Sequence, residues 1–329
     1  MTTETDVKQG YEQFRNDYGK LRQALASVLV GQDDVIDLAL AAFLGGGHVL
    51  LEGPPGVGKT LLGRSLAALL DVQYRRIQFT SDLMPADIIG TYIVMESQGR
   101  RRFEFQRGPI FTNLLLADEI NRATPKTQAA LFEALEERAL TVANERYELT
   151  APFFAVATQS LGDIEGTFPV PETQLDRFFF KLSLPPPTPQ DLSTILGRSA
   201  EPPAAPGKAL LSGERIVEMQ AAVRHVAVPP DVLQYAVKLV TATRPDDSAA
   251  PETTRRLVLR GASLRAGQAM LLAGQVLALV AGRQQLSQDD VRRVAAPALR
   301  HRIALNFEGH AAEAGIDRII QDILNSVRP

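Results

Sequence analysis

At 329 residues the chain is long for one domain and comfortable for two. It has no Cys, which excludes disulfides, thiolate metal sites and thiol redox chemistry, and its four scattered His (His48, His225, His301, His310) make no zinc pattern. Lys and Arg number 35 against 38 Asp and Glu, a net charge of −3, and aromatics are 6% with no Trp, so neither a basic nucleic-acid surface nor an aromatic-lined groove is expected.

The N-terminus, Met1 to Gly10, carries acids where a signal peptide would carry a basic start and an apolar core. Tyr11–Leu29 reads as an entry helix, and Asp33–Leu44 as a second helix halted by Gly45, Gly46 and Gly47. His48–Glu52 is a short apolar strand running into a Gly-rich loop, and Thr60–Leu70 is a helix. Tyr74–Phe79 is the next strand, and Leu83-Met84-Pro85 leads a short helix. Tyr92–Met95 and Phe103–Phe105 alternate around Gly99 as a hairpin, with Arg100, Arg101 and Arg102 beside its turn. Asn113–Ala117, Phe153–Thr158 and Phe179–Leu184 are further strands, and Gln128–Leu140 is a helix. Continuous apolar runs such as Leu114 to Ala117 suit strands buried on both faces, and strands alternating with helices imply a doubly wound parallel α/β sheet.

Between Pro185 and Gly207 the composition changes. Seven of the 21 prolines fall there, which predicts a linker or hinge. Beyond it the periodicity is almost wholly helical, over Arg215–Val226, Asp231–Arg244, Leu264–Ala281 and Gln288–Ile303, with Ser287 as an N-cap. The most apolar run, Ala269 to Ala281, is short of the ~20 residues a membrane span needs. The expected organisation is an N-terminal helical extension (1–24), an α/β core (25–187), a Pro-rich linker (188–208) and an all-α C-terminal domain (209–329). The chain is expected to be soluble and cytoplasmic, with no membrane insertion.

Gly53-Pro54-Pro55-Gly56-Val57-Gly58-Lys59-Thr60 fits G-x-x-x-x-G-K-[ST] between a buried strand and a helix. Gly56 and Gly58 permit backbone shapes that let N–H groups crowd around a polyphosphate, and the following helix points its positive end at the same anion. Lys59 would reach the β- and γ-phosphates, Thr60 would ligate Mg²⁺, and Leu61 follows in the first helical turn against the nucleotide. The Asn113–Ala117 strand ends in Asp118-Glu119. Asp118 would hold Mg²⁺ through water, and Glu119 would polarise the attacking water. No N-K-x-D guanine-reading tetrapeptide occurs, which favours ATP over GTP.

With these motifs in place the sequence resembles an AAA+ ATPase, and more narrowly the MoxR family. The matching segments include Val30-Gly31-Gln32, Arg76-Ile-Gln-Phe-Thr80, Ala117-Asp-Glu-Ile-Asn-Arg122, Gly166-Thr-Phe-Pro-Val-Pro-Glu172, Leu175-Asp-Arg-Phe178, Gly261 to Ala266 and Arg300-His-Arg-Ile303. The resemblance covers about residues 25 to 310. It implies that Gly31 and Gln32 begin the adenine pocket, and that Gln159 or Ser160 is a polar sensor of γ-phosphate. Where the family carries Asn, this chain has Ser160. Arg177 matches the arginine finger that reaches a neighbour's γ-phosphate, the alternative being a structural Arg paired with Glu172 or Asp176. Arg265 matches the second sensor, reaching back to the phosphates. Leu264 stands where the family has Pro.

The implied activity is Mg²⁺-dependent ATP hydrolysis by a homo-oligomeric, hexameric ring that remodels protein clients, with von Willebrand factor A domains as the family's usual partners. The hairpin resembles an insertion that tends to face the ring's pore. Two alternatives remain: a nucleic-acid motor, favoured only by Arg100 to Arg102, and an ATP-gated scaffold with little turnover.

Overall fold

The computed structural model describes residues 4–97, 100–160, 166–199 and 209–328. In chain order α1 (Glu4–Val28) and α2 (Asp33–Leu44) lead into β1 (Val49–Gly53), α3 (Lys59–Ala68), β2 (Leu70–Asp71) and β3 (Tyr74–Gln78). A short α4 (Pro85–Ile89) opens a hairpin of β4 (Gly90–Ser97) and β5 (Arg100–Arg107). Then come β6 (Leu114–Asp118), α5 (Pro125–Glu137), a second hairpin of β7 (Ala139–Val142) and β8 (Glu145–Glu148), and β9 (Phe154–Ser160). The first half closes with α6 (Glu172–Leu175), β10 (Phe180–Ser183) and α7 (Pro189–Ser199). The second half holds β11 (Leu211–Ser212), α8 (Gly213–Val223), α9 (Pro230–Thr241), α10 (Glu252–Leu257), β12 (Val258–Arg260), α11 (Leu264–Val280), α12 (Gln288–Leu299), β13 (Ala304–Leu305), α13 (Phe307–Ala311) and α14 (Ile316–Ser326).

Five strands form one sheet in the order β10-β1-β9-β6-β3, every pair parallel. Because side chains alternate along a strand, each apolar run feeds two cores. Leu114, Leu116, Phe154 and Val156 join the core on one face, against α1, α2, α3 and the helical second half. Leu115, Ala117, Ala155 and Ala157 join the core on the other face, with Leu131 and Leu135 of α5. Burying a Leu this fully is worth roughly 1.5–3 kcal/mol. The doubly wound sheet with a helical lid is therefore the observed architecture.

Three features differ from the sequence-based expectation. α1 is longer than Tyr11–Leu29 and buries Phe14, Tyr18, Leu21 and Leu25 in the same core as the sheet. The Pro-rich stretch is not all linker, since Pro189–Ser199 is helical. Thr188 and Asp191 form a reciprocal cap there: Thr188 N–H donates to Asp191 Oδ2 at 3.0 Å and Asp191 N–H to Thr188 Oγ1 at 3.2 Å. The rest of the expected linker, 200–208, lies outside the described residues. The β7–β8 hairpin falls partly where the helix was expected to continue to Leu140. That helix starts earlier, at Pro125, and ends at Arg138 in the left-handed region (φ 49°).

Candidate active site: the phosphate loop and its acidic pair

β1 delivers the chain into the loop at Gly53, and α3 takes it away at Lys59. Gly56 and Gly58 have φ of 83° and 100°, a region that side chains rarely enter. A Cβ on Gly56 would meet nothing within 4 Å, so the loop leaves open space above its backbone. Lys59 is buried, and its ammonium donates to Gly53 O at 2.7 Å and Pro54 O at 2.8 Å. Burial pushes its pKa below the ordinary Lys value, against the pull of Glu119 and Asp118. A cation held in a partly desolvated loop is a poised partner for a polyphosphate.

Asp118 is buried at the end of β6 and has three neighbours. Thr60 Oγ1 donates to both of its oxygens at 3.1 Å. Thr158 Oγ1 donates to Oδ1 at 2.6 Å. Arg76 donates to Oδ2 through Nη2 at 2.7 Å and Nε at 3.1 Å. The Thr60 hydroxyl and the Asp118 carboxylate are hard oxygen donors side by side, and they fit Mg²⁺ bound partly through water. Glu119 sits in the left-handed region (φ 59°, ψ 51°), a cost for a non-Gly residue. Its amide donates to Thr158 Oγ1 at 2.8 Å. Its carboxylate accepts from Gln78 Nε2 at 3.1 Å and pairs with Arg122 Nε at 2.9 Å.

These groups share one cleft of ≈ 510 Å³, lined by Gly56, Gly58, Lys59, Thr60, Leu61, Asp118 and Glu119 among others. Ser160 and Thr158 line it too. They are two residues apart on β9, so they share a face, while Gln159 points to the other. Of the two sensor candidates, Ser160 is the one brought to the phosphate cleft.

Gly31 and Gln32 line a second cleft of ≈ 700 Å³, closed by Ser183 and Pro185 and by Arg293, Ala296, Pro297 and Arg300 of the lid side. Gln32 is buried and donates to Pro185 O at 3.1 Å. The phosphate loop packs between these walls: a Cβ on Gly53 would stand 2.7 Å from Leu184 O, and one on Gly58 3.3 Å from Leu29 Cδ2. The second cleft therefore lies beside the phosphate loop.

Arg177 and Arg265 lie elsewhere. Arg177 follows α6, pairs with Glu136 at 2.7 Å, donates to Gln174 Oε1 and stands over the Phe132 ring. It does not pair with Glu172, which binds Arg260 instead, nor with Asp176. Arg265 binds the same Glu136 and, at 3.1 Å, Asp176. Both arginines line a third cleft of ≈ 520 Å³ that shares no lining residue with the phosphate cleft. The cleft linings thus group Arg265 with Arg177 and not with Lys59 and Thr60. α11 starts beside the cleft that Arg177 lines, and Ser263 caps it by accepting from Arg265 N–H at 3.2 Å. The cap supplies the fixed start that Leu264 does not.

Sequence reasoning missed Arg76, Gln78 and Thr158. Arg76 and Gln78 alternate on β3, one on each carboxylate of the acidic pair. The available signal was their position at the carboxyl end of a strand in a parallel sheet, where ligand sites form. Among the described residues there is no cluster of three or more His, Asp or Glu placed to hold a metal without a nucleotide. No described helix is long and apolar enough to cross a membrane.

A phosphate loop, an acidic pair at the end of β6 and a helical lid over a parallel sheet define an AAA+ ATPase. A family model described as "ATPase family associated with various cellular activities (AAA)" matches residues 48–180, and an "AAA lid domain" model matches 250–323. The chain is 39% identical to Chaperone MoxR1 of Mycobacterium tuberculosis over 301 residues, 91% of this chain and 79% of that one. It is 31% identical to Protein MoxR of Methylorubrum extorquens, over 95% of this chain and 94% of that one. The crystal structure of a Cytophaga hutchinsonii protein assigned as an ATPase superposes with a TM-score of 0.88 at 33% identity, covering 98% of each chain. The chain belongs to the MoxR family of AAA+ ATPases.

Proposed function

We propose that this ATPase works with Mg²⁺ as a homo-oligomeric ring, the hexamer being the expected form, and spends ATP hydrolysis on remodelling a protein client. The observation that carries the reading is the separation of the two halves of the site. Lys59, Thr60, Asp118, Glu119 and Ser160 share the phosphate cleft, whereas Arg177 and Arg265 stand together in another that shares none of its walls. Arginines placed so serve the γ-phosphate of a neighbouring subunit. In other systems such a finger is worth about 10³–10⁵ in rate.

Lys59 and the loop amides hold the phosphates in their cleft, and Gly31 and Gln32 meet the base in the second one. Thr60 and Asp118 would hold Mg²⁺, which when bound neutralises charge on the β- and γ-phosphates. Thr158 fixes Asp118 and the Glu119 amide together, and Glu119 takes a proton from water once Gln78 and Arg122 leave its carboxylate free to turn. Client contact falls to the β4–β5 hairpin, where Val94 and Phe103 face each other at 55% and 74% exposure and Arg101 is also exposed. A partner with a von Willebrand factor A domain is the expectation carried from the MoxR resemblance.

The test is specific ATPase activity against protein concentration, with oligomer size followed by light scattering. Activity should rise steeply as a ring-sized species forms, and Glu119→Gln should keep ATP binding while losing about 10²–10⁴ of turnover. A rate per subunit that does not change with concentration, in a monomer, sinks the shared site.

A further inference from the structure

Three consecutive lid residues, Arg300, His301 and Arg302, lie outside the phosphate cleft, yet all three side chains end on one segment of the core. Arg300 Nη1 donates to Lys181 O at 3.0 Å, and His301 Nε2 to Phe178 O at 3.0 Å. Arg302 donates to Asp176 O at 2.8 Å, to Phe178 O at 2.6 Å and to Phe179 O at 3.1 Å. Its Nε also donates to the Asp176 carboxylate at 2.7 Å. The Arg302 side chain is only 2% exposed, and a charge that far from water is tolerated only with a paired carboxylate and filled hydrogen bonds.

Asp176 collects more from the lid. Ser263 Oγ donates to its two oxygens at 2.7 and 2.9 Å, and Arg265 Nη1 donates at 3.1 Å. Arg177 is thus bracketed. The lid grips residues 176, 178 and 179 on either side of it, while Arg177's own side chain is steered by Glu136 and Gln174 of the core. There is free space on both sides of this joint. A cleft of ≈ 310 Å³ lies by Glu172 and Arg260, and the ≈ 520 Å³ cleft lies by Arg177.

We infer that Asp176, held by Arg302 and Ser263, is a positioning residue that ties Arg177 to the lid, so that a lid movement in one subunit is delivered as a movement of the arginine it offers its neighbour. The inference rests on the reading that Arg177 acts on a neighbouring subunit. Charge is what the joint needs, because a carboxylate can accept from three donors at once and an amide oxygen cannot replace both of its oxygens.

The experiment uses full-length Asp176→Asn. Binding of a fluorescent ATP analogue should stay within about twofold of wild type and KM should be unchanged, while kcat falls tenfold or more. Mixing Asp176→Asn with Glu119→Gln subunits should restore turnover, because the mixed interface pairs an intact water-activating site with an intact arginine joint. A merely structural Asp176 would lower the melting temperature and ATP binding together and would gain nothing from mixing. The control is Arg177→Ala mixed with Glu119→Gln. Failure of that control overturns the neighbour-acting arginine itself. A rescued control beside an Asp176→Asn that turns over normally, or is not rescued, overturns only the joint. If Asp176→Asn does not fold, Ser263→Ala decides: it should show the same pattern with a smaller fall in kcat, about threefold, and wild-type kcat there rejects the joint.

Discussion

Asp118 carries a cation, Arg76, whose contact with it no motif announces. Arg76 puts two N–H groups on the oxygen that a metal ion would approach, and its partner Gln78 holds Glu119. A charge-assisted hydrogen bond is worth about 1.5–3 kcal/mol before screening. Arg76 is 36% exposed, so a discount to about 1 kcal/mol is appropriate. Metal entry must displace or share that contact. Arg76→Gln should therefore bind Mn²⁺, with ATP present, roughly fivefold more tightly than wild type, since about 1 kcal/mol is a factor near five. Water-proton relaxation reads the bound Mn²⁺ directly and does not depend on turnover. Equal Mn²⁺ affinity in the two proteins would mean that Arg76 follows the carboxylate and does not compete for it. The phosphate loop and the acidic pair were legible because each is a local run of residues. Arg76 and Thr158 were not, because they reach Asp118 only through strand pairing across 42 and 40 residues of chain.

At the scale of elements, the β4–β5 hairpin is anchored by another hairpin. Phe105 stacks between Tyr92, Phe111 and Tyr147, with ring centroids 5.4, 5.9 and 4.6 Å away. The Tyr92 and Tyr147 hydroxyls meet at 3.0 Å, and Glu145 accepts from both. The hairpin's foot is also tight: Gly90 has φ of 102°, and a Cβ there would stand 2.1 Å from Gln106 O. Aromatic pairs are worth about 0.5–1.5 kcal/mol each beyond their buried area. Phe105→Ala should therefore raise hydrogen exchange of amides 90–107 by about tenfold or more and leave the phosphate loop unchanged. Unchanged exchange in the hairpin would place its anchor at the glycine foot alone. The first hairpin could be read from its alternation around Gly99, but its anchor could not. β7 and β8 are short and, outside Ala139, Leu140 and Val142, largely polar, and their value lies in the contact they make 55 residues away. The cap on α7 was written locally as Thr188-Pro-Gln-Asp191, and the surrounding prolines outweighed it.

Across the whole molecule, two buried histidines cross the seams that hold it together. His48 accepts from Ala155 N–H at Nδ1, 3.0 Å, and its Nε2 donates to Leu135 O at 3.2 Å, linking β9 to α5. His301 links the lid to the segment after Arg177. Burial, with Arg138 nearby, pushes His48 down to about 3, and burial with Arg302 beside it pushes His301 well below the ordinary His value. Both are neutral in the fold and titrate near 6.5 when unfolded. Below that pH the unfolded chain binds protons that the fold refuses, so stability falls as pH drops from about 6.5 toward 3. His48 contributes a slope of about 1.4 kcal/mol per pH unit in that window, and His301 acts in the same direction below about pH 6.5. Asp176 behaves in the opposite range. Burial raises its pKa, but hydrogen bonds from Ser263 and Arg302 outweigh this and hold it below the ordinary Asp value. Its contribution is fully present above about pH 4 and is lost only as pH falls through its lowered value. Loss between pH 6.5 and 5 is therefore assigned to the histidines and not to the Asp176 carboxylate. The melting temperature should fall steadily from pH 7 to 5, and His48→Gln or His301→Gln should each start less stable but fall less steeply. A melting temperature that stays level from pH 7 to 5 would mean that neither ring is held neutral, and the seam between lid and core would then have to open without cost to let water reach His301.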